Sequence, residues 1–217
     1  MRHVIKTNKK EIVVLIHGLW LPGCCLWPLA RALKRRGFVV KIFSYASVSA
    51  DLHENAAHLE RFLTKLDAAT IHLVGHSLGG ILIRALFHYY PNQKPGRIVT
   101  LASPHQGCRV AQNLDRYGAW RFIMGRSVAQ LLAGLPQTWP LPARAIGCLS
   151  GSRSMGTGRL LYRDLPRPND GLLTLEESTL EPAGARIVLP VSHTGVLFAR
   201  AVAEQLAHFL NEGRFTS

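Results

Sequence analysis

The chain has 217 residues, of which 47% are hydrophobic and 18% charged. This length favours one domain with a sizeable core, and the aliphatic content excludes a disordered chain. The 19 glycines and 12 prolines are too few for a fibrous protein. The unusual feature is the charge, because 26 basic and 13 acidic side chains give a net +13. Such an excess raises the hypothesis of a nucleic acid or another anionic partner.

The positive charge is concentrated in the middle of the chain. Residues 84–167 contain 12 basic and 2 acidic side chains, whereas residues 168–217 contain 3 basic and 6 acidic ones. A local concentration favours a charged region near one part of the fold over a general affinity for nucleic acid. The charge is therefore interpreted as a property of that region.

The N-terminal stretch Met1–Lys10 is basic, but the apolar run Ile12–Ile16 behind it is too short for a secretory signal. No apolar run approaches the roughly 18 residues that a membrane-spanning helix needs. We therefore expect a cytoplasmic protein. The chain has four cysteines, Cys24, Cys25, Cys108 and Cys148. Their spacing is not that of a metal site, so we expect four reduced, buried thiols.

Strands and helices are predicted to alternate along the chain. The predicted strands are Ile12–Ile16, Phe38–Phe43, Ile71–Val74, Arg97–Ala102, Ala143–Leu149 and Arg186–Leu189. The predicted helices are Trp27–Arg36, a helix after Asp51, Leu78–Tyr90 and Val196–Leu210. The helix after Asp51 is the clearest, because Asp51 and Glu54 form a capping box ahead of a leucine-rich face.

This alternation predicts an α/β fold with a mostly parallel sheet of about six strands between helices. We expect a single domain over residues 1–217. Two stretches interrupt the pattern: residues 109–142 predict a helical insertion that would act as a cap or lid, and residues 150–168 predict a long loop. Both overlap the basic middle of the chain.

The segment Gly75-His76-Ser77-Leu78-Gly79 fits the pattern G-x-S-x-G between a predicted strand and a predicted helix. A nucleophile at the edge of a sheet requires a sharp, strained turn, and side chains two residues before and after it would collide with the backbone. The N-terminus of the following helix stabilises negative charge. Ser77 is therefore the candidate nucleophile.

A nucleophilic serine needs a general base and an acid that orients the base, in the chain order Ser, Asp or Glu, His. His193 follows the last predicted strand, so its loop lies at the same sheet edge as Ser77; we prefer it to His88, His105 and His208. His76 adjoins Ser77, but we expect its side chain to point away from the site of attack.

Two aspartates lie between the fifth and sixth predicted strands. Asp170 occupies a polar turn 23 residues before His193, whereas Asp164 is interpreted as a solvated partner of nearby arginines. We choose Asp170 as the orienting acid. Glu176 and Glu177 are interpreted as part of an exposed helix or turn.

An oxyanion hole requires two backbone N–H donors. Leu78, directly after the nucleophile, would supply one, and Leu19, in the loop after the first strand, would supply the other. His17 is interpreted as a residue that fixes this loop. Trp20 and Trp27 would either line an acyl pocket or pack against the sheet, and neither alternative is preferred.

The predicted insertion carries an apolar stripe with arginines around it. The stripe consists of Tyr117, Trp120, Met124, Val128, Leu131 and Leu135. The arginines are Arg116, Arg121 and Arg126. Such a helix could dock on anionic lipid or simply cover the domain, and the sequence favours the second.

The segments IHGLW, LVGHSLGG, LASPHQG, NDGLLTLEES and SHTGVL together resemble the α/β-hydrolase superfamily, and within it the small bacterial lipases and esterases. The resemblance implies a minimal lipase A-like fold with an added cap. It carries the catalytic roles to Ser77, Asp170 and His193, and the oxyanion donors to Leu19 and Leu78. Thr194 and Gly195 follow His193 where larger lipases often carry an Asp near a calcium ion. We therefore expect no calcium, and no metal or organic cofactor.

We expect a serine esterase or lipase that cleaves carboxylic esters of small molecules or lipids through an acyl-enzyme. An acyltransferase or thioesterase with the same triad is the alternative. A non-catalytic protein that binds an anionic surface is a third interpretation, which the presence of Ser, Asp and His together argues against. Nucleic acid is not the expected partner, although peripheral contact of the basic cap with an anionic membrane remains open.

Overall fold

The computed structural model describes residues 10–118, 120–156, 158–181 and 184–216. The basic stretch before Lys10 and the side chains of Trp120 and Arg121 lie outside the described part of the chain. The strands are β1 (Glu11–Ile16), β2 (Val39–Phe43), β3 (Thr70–His76), β4 (Ile98–Leu101), β5 (Ile146–Gly151) and β6 (Ala185–Leu189).

The six strands form one sheet in the order β2-β1-β3-β4-β5-β6, and each neighbouring pair is parallel. The helices are α1 (Trp27–Lys34), α2 (Leu52–Thr64), α3 (Leu78–Tyr89), α4 (Arg109–Asp115), α5 (Trp120–Leu132), α6 (Gly158–Leu161) and α7 (Arg200–Glu212). The predicted α/β class, the parallel sheet and the number of strands are confirmed. Because the strands are parallel, the loops after β1, β3, β4, β5 and β6 meet at one edge of the sheet.

Both faces of the sheet are buried at β1, which explains the continuous apolar run of this strand. Ile12, Val14 and Ile16 face the cluster that contains α2 and α3. Val13 and Leu15 face the second cluster, which contains α1 and α7. The side chains of a strand alternate between its two faces, so an all-apolar strand is the pattern of a sheet with helices on both sides.

The clearest predicted helix has the predicted cap. The Asp51 side chain accepts a hydrogen bond from the Glu54 N–H at 2.9 Å, and the Glu54 carboxylate accepts one from the Asp51 N–H at 2.8 Å. Both bonds satisfy N–H groups that the first helical turn leaves without partners. The capping box is therefore confirmed.

The last predicted helix, Val196–Leu210, is divided in two. Gly195–Leu197 forms one 3₁₀ turn, and α7 starts at Arg200 because Ala199 is extended, with φ −73° and ψ 129°. The divided structure brings Phe198 to the surface, where it is 61% exposed.

The insertion between β4 and β5 contains α4 and α5, as well as a 3₁₀ turn at Leu135–Thr138. Within α5, Gly125 is not helical, with φ 80° and ψ −179°. A Cβ atom there would lie 2.2 Å from the Val48 carbonyl oxygen. The helical axis therefore breaks at a glycine that touches the loop after β2.

The prediction of four buried thiols is partly wrong. Cys108 and Cys148 are buried, whereas Cys24 is exposed and Cys25 is half-buried; all four are free. Cys24 and Cys25 lie in a 3₁₀ turn ahead of α1, where neither packs into the core. In the described part of the chain, no helix is both long enough and apolar enough to cross a membrane.

Candidate active site

Ser77 lies at the sharp turn between β3 and α3. Its backbone has φ 53° and ψ −122°, a conformation that is strained for a residue with a side chain. A Cβ atom at Gly75 would lie 2.5 Å from the Gly79 carbonyl carbon, and one at Gly79 would lie 2.5 Å from the Ile16 carbonyl oxygen. Both flanking positions therefore require glycine because the backbone passes too close for any side chain.

Ser77 forms a hydrogen-bonded chain with the two other residues selected from the sequence. The Ser77 Oγ is 3.1 Å from His193 Nε2, and His193 Nδ1 is 2.8 Å from Asp170 Oδ2. Asp170 is 1% exposed. The three side chains come from segments 93 and 23 residues apart in sequence, so only the fold brings them together.

The Asp170 carboxylate has a fixed orientation. Its Oδ1 accepts hydrogen bonds from the N–H groups of Leu172 at 2.9 Å and Leu173 at 2.7 Å, which leaves Oδ2 for the imidazole. The Asp170 carbonyl oxygen also accepts a hydrogen bond from the His193 N–H at 2.8 Å. Backbone and side chain thus both connect the acid to the histidine loop.

His76 contacts the far side of the same loop. Its Nε2–H donates to the His193 carbonyl oxygen at 3.0 Å, and the two ring centroids are 5.1 Å apart. Burial lowers the pKa of His76 to about 3, helped by the neighbouring His193, so its ring is neutral. The sequence left His76 out of the site, whereas the structure places it directly against the candidate base.

The loop after β1 lies beside the nucleophile. A Cβ atom at Gly18 would lie 3.0 Å from the Ser77 Cβ, so glycine allows the loop to approach. The His17 ring stacks on Tyr45 and accepts a hydrogen bond from the Tyr45 N–H at 3.2 Å. Leu19, the next residue after Gly18, and Leu78, the first residue of α3, both line the cavity that contains Ser77.

An apolar cavity of about 240 Å³ opens at Ser77 and His193. Most of its wall is aliphatic and comes from the β1 loop, α4, α5 and the segment around α6. The lining side chains include Leu19, Trp20, Val110, Leu114, Met124, Val128, Leu131, Leu161, Leu172 and Leu173. This composition suits the hydrocarbon part of a substrate rather than a charged one.

The predicted stripe of the insertion divides into two groups. Met124, Val128 and Leu131 are buried and line the cavity, whereas Tyr117 and Leu135 are 67% and 40% exposed. Gly125 breaks the helix, so one continuous apolar face over the whole insertion cannot form. The inward group covers the cavity.

Arg126 of the insertion is engaged within the protein. Its guanidinium forms ion pairs with Asp51 at 2.9 Å and Glu54 at 2.8 Å. The backbone N–H of Arg126 donates to the Val48 carbonyl oxygen at 3.1 Å. These contacts fix the second half of α5 to the start of α2. Arg116 is exposed and lines a separate polar cavity beside α4.

The two tryptophans considered for the acyl pocket differ in position. Trp20 lines the cavity, and its indole N–H donates to the Ile123 carbonyl oxygen at 2.9 Å. Trp27 is 68% exposed and lies on a different surface, between α1 and the start of α7. Trp27 therefore neither lines this cavity nor packs into the core.

The interpretation of Glu177 as part of an exposed helix or turn is wrong. It is 3% exposed; one carboxylate oxygen accepts from the Arg109 N–H at the start of α4, and the other accepts from the Thr174 N–H at 2.7 Å. Glu177 thus connects a wall of the cavity to the segment that carries Asp170. Its partner Arg109 is 68 residues away, which explains why no local signal revealed it.

Asp164 is exposed, in agreement with its interpretation as a solvated residue.

The other histidines after the nucleophile lie away from this chain of hydrogen bonds. His88 is exposed and His208 is half-buried. His105 is fully buried, where Nε2 is 3.1 Å from the Thr100 Oγ1, and burial lowers its pKa to about 3. Within the described ranges, no group of three or more His, Cys, Asp or Glu side chains has the arrangement of a metal site.

The fold and the strained serine turn define a class of protein. The chain belongs to the alpha/beta hydrolase family, whose sequence profile matches residues 13–211. It has no match among curated protein sequences. Several solved structures are similar in fold at low sequence identity.

One of these structures is the mature form of a lipase from Bacillus licheniformis, with a TM-score of 0.75, 18% identity and coverage of 95% of this chain and 93% of the lipase. A metagenomic carboxyl esterase has a TM-score of 0.73, 18% identity and coverage of 95% and 77%. A phospholipase from Legionella pneumophila has a TM-score of 0.69, 15% identity and coverage of 92% and 60%. The structural neighbours thus include bacterial lipases and esterases, and the chain shares their fold.

Proposed function

We propose that the protein hydrolyses carboxylic esters through an acyl-enzyme on Ser77. The observation that carries the proposal is the chain of hydrogen bonds from Asp170 through His193 to Ser77, with Ser77 open to an apolar cavity. A nucleophile, a base and an orienting acid in this order are the requirements for acyl transfer at a serine.

In the proposed reaction, the Ser77 Oγ attacks the ester carbonyl carbon while His193 Nε2 accepts the hydroxyl proton. The ester C–O bond then breaks, and the imidazolium gives that proton to the leaving alcohol. A water molecule repeats the sequence on the acyl-enzyme and releases the acid. Asp170 keeps the proton of the neutral imidazole on Nδ1, so that Nε2 carries the lone pair that acts as a base.

The tetrahedral intermediate places a negative charge on the former carbonyl oxygen. We assign its stabilisation to the N–H groups of Leu78 and Leu19. Leu78 begins α3, so its N–H has no acceptor within the helix and benefits from the helix dipole. Leu19 follows Gly18, whose approach to the Ser77 side chain brings this loop beside the reacting atoms.

The cavity defines the proposed acyl site. Its volume of about 240 Å³ is smaller than the roughly 300–1,000 Å³ of most ligand pockets. We therefore propose a preference for short to medium acyl chains. No step in this reaction uses a metal or an organic cofactor.

We further propose that residues 109–142 are a cap on a single hydrolase domain. The buried face of α4, with Val110, Ala111 and Leu114, and the second half of α5 form much of the cavity wall. Without them, the apolar side of the site would be open to water.

A p-nitrophenyl ester series from acetate to palmitate, with the variant Ser77→Ala, tests the proposal. Ser77→Ala should lower kcat/KM by at least about 10⁴-fold. Ser49→Ala removes an exposed serine and is the matched control, for which we expect no change. A fluorophosphonate probe should label the wild type at Ser77, as read by peptide mass spectrometry, and should not label Ser77→Ala.

Full hydrolysis by Ser77→Ala, or labelling at another serine, would contradict the assignment. The same residues could also serve a thioester or transfer the acyl group to an alcohol. A parallel assay with acyl thioesters, and product analysis with added alcohol, therefore measures which acyl donor and which acceptor the site prefers.

A further inference from the structure

A surface groove of about 780 Å³ lies between α1 and the start of α7, apart from the ester site. Its floor is apolar and includes the buried Leu29 and Leu197. Trp27 and Phe198 line it and are 68% and 61% exposed. Two large aromatic side chains with most of their surface in water are the feature to be explained.

The same groove is strongly positive. Four arginines line it: Arg31, Arg35, Arg36 and Arg200. Arg36 and Arg200 share one carboxylate, that of Glu204, at 3.4 and 2.7 Å. Among the residues that the structure describes, Arg31 and Arg35 form no ion pair. The groove therefore carries an excess of about three positive charges beside its two exposed aromatic rings.

The end of the groove that carries Trp27 and Phe198 lies toward the sheet edge of the candidate active site, whereas Arg35 and Arg36 lie at the other end of α1. Trp27 starts α1, which the chain enters directly from the loop after β1. Phe198 follows His193 by five residues and precedes α7. In a parallel α/β sheet, the helices after these loops start at the carboxyl edge of the strands, so both aromatic side chains lie near the loops that form the ester site.

We propose that this groove docks the protein onto an anionic lipid bilayer, with Trp27 and Phe198 at the headgroup level. Arginine guanidinium groups bind lipid phosphates, and aromatic side chains favour the boundary between headgroups and acyl chains. The inference rests on the proposed function, because such docking would bring lipid esters to Ser77. It differs from docking through the cap, whose Arg126 is already paired with Asp51 and Glu54.

Vesicle co-sedimentation tests this surface. The full chain should bind mixed phosphatidylcholine–phosphatidylglycerol vesicles and bind phosphatidylcholine alone much more weakly. Each basic residue near an anionic surface contributes about a fivefold factor, so Arg31→Gln with Arg35→Gln should reduce partitioning by roughly 25-fold. Trp27→Ala should weaken it independently, and salt should weaken the wild type.

The control is Arg61→Gln with Lys65→Gln, which removes the same charge from the last turn and C-cap of α2, on the opposite face of the sheet. Equal losses in the two double variants would show a general charge effect and overturn the proposal, as would binding to soluble polyglutamate with the affinity seen for vesicles. Hydrolysis of p-nitrophenyl butyrate should stay unchanged in these variants. If vesicle binding is observed and ester hydrolysis is absent in the wild type, the proposed function alone has failed.

A second and independent inference concerns His76. We propose that His76 is a positioning residue that holds the His193 loop against the nucleophile turn. It is the residue directly before Ser77, and its Nε2–H donates to the His193 carbonyl oxygen at 3.0 Å. One buried side chain thus joins the strand that carries the nucleophile to the loop that carries the base. Its Nδ1 has no hydrogen-bond partner among the described residues, so the bond to His193 is the polar contact that the ring makes there.

The variant His76→Leu removes the donor, and His76→Gln retains one. Misplacement of a base by about 1 Å costs roughly 100-fold in rate, so His76→Leu should lower kcat by about 10- to 100-fold with little change in KM. His76→Gln should recover a large part of kcat. If both variants lose thermal stability but keep the wild-type kcat per folded molecule, His76 is merely a packing residue and the inference is wrong.

Discussion

Asp170→Asn is the most informative substitution, because the surrounding hydrogen bonds determine how the amide must lie. Oδ1 of Asp170 accepts hydrogen bonds from the N–H groups of Leu172 and Leu173, and Oδ2 faces His193 Nδ1. If the amide nitrogen took the Oδ1 position, two buried N–H donors would face a third donor, at a cost of about 1–3 kcal/mol each. The amide nitrogen should therefore face His193.

An amide nitrogen opposite Nδ1 donates to it and moves the imidazole proton to Nε2. His193 then presents N–H rather than a lone pair to Ser77, and it cannot accept the hydroxyl proton. Loss of the correct tautomer costs about 10⁴-fold in kcat in a serine triad. This corresponds to about 5.5 kcal/mol in the activation free energy.

Asp170→Asn should also reduce stability moderately. Two backbone donors exchange a charged acceptor for a neutral one, a loss of about 1 kcal/mol each. For a chain of this size the melting temperature should fall by about 4–8 °C. Activity is therefore measured at a temperature at which circular dichroism shows that both proteins are folded.

The assay is kcat/KM on p-nitrophenyl butyrate, with Asp164→Asn as the matched control. Asp164 is exposed, and its substitution should leave kcat/KM within about twofold of the wild type. If Asp170→Asn keeps more than about a tenth of the activity, or if Asp164→Asn loses as much, the reasoning from the tautomer is refuted.

Three further predictions concern the cavity, acid stability and the buried glutamate. Leu131→Ala widens the acyl cavity and should move the preferred p-nitrophenyl ester about two to three carbons longer; Leu132→Ala, which does not line the cavity, should leave the preference in place. Burial lowers the pKa of His76 and the pKa of His105 to about 3 each, so below about pH 6.5 the unfolded chain binds more protons than the folded protein. The free energy of unfolding, measured by urea titration, should therefore fall by about 4 kcal/mol between pH 7 and pH 5. A free energy of unfolding that does not change with pH would contradict the burial of the two rings in the neutral form. Glu177→Gln places an amide N–H against a backbone donor and should lower the melting temperature by about 3–10 °C, whereas the exposed Glu176→Gln should not.

The parts that the sequence predicted well depend on contacts between neighbours in the chain. Gly75 is required by the backbone of Gly79 within the same turn, so a five-residue motif contains most of the information; Ile16 of the adjacent strand, which requires Gly79, is the exception to this locality. The capping box of α2 is equally local, since Asp51 and Glu54 satisfy each other. The buried strands were predicted because apolar runs on both faces of a parallel sheet leave a continuous signal.

The parts that were missed depend on contacts over long distances in the chain. Glu177 is buried because Arg109 and Thr174 supply its donors, and two adjacent glutamates otherwise resemble a solvated surface. His76 gains its role from the carbonyl oxygen of a residue 117 positions later. The break at Ala199 could not be read from local sequence, because no glycine or proline lies between Val196 and Leu210.

The middle of the chain shows why a net charge does not identify a binding surface. Arg84 is buried in α3 and donates to the carbonyl oxygens of Pro136 and Trp139, which lie where the chain returns from the insertion. Arg144 donates to the carbonyl oxygens of Gln93 and Lys94.

Carbonyl oxygens accept these hydrogen bonds without cancelling the positive charge, so the chain can carry many arginines there with only two carboxylates. The charge excess of residues 84–167 therefore comes in part from arginines that hydrogen-bond to backbone carbonyl oxygens of other segments. The unpaired arginines that we assign to an anionic partner lie instead on α1 and at its C-cap, in a part of the chain where the charge imbalance is smaller. Neutralising Arg84 or Arg144 should therefore reduce stability, whereas neutralising Arg31 and Arg35 should reduce binding and leave the melting temperature within about 2 °C of the wild type.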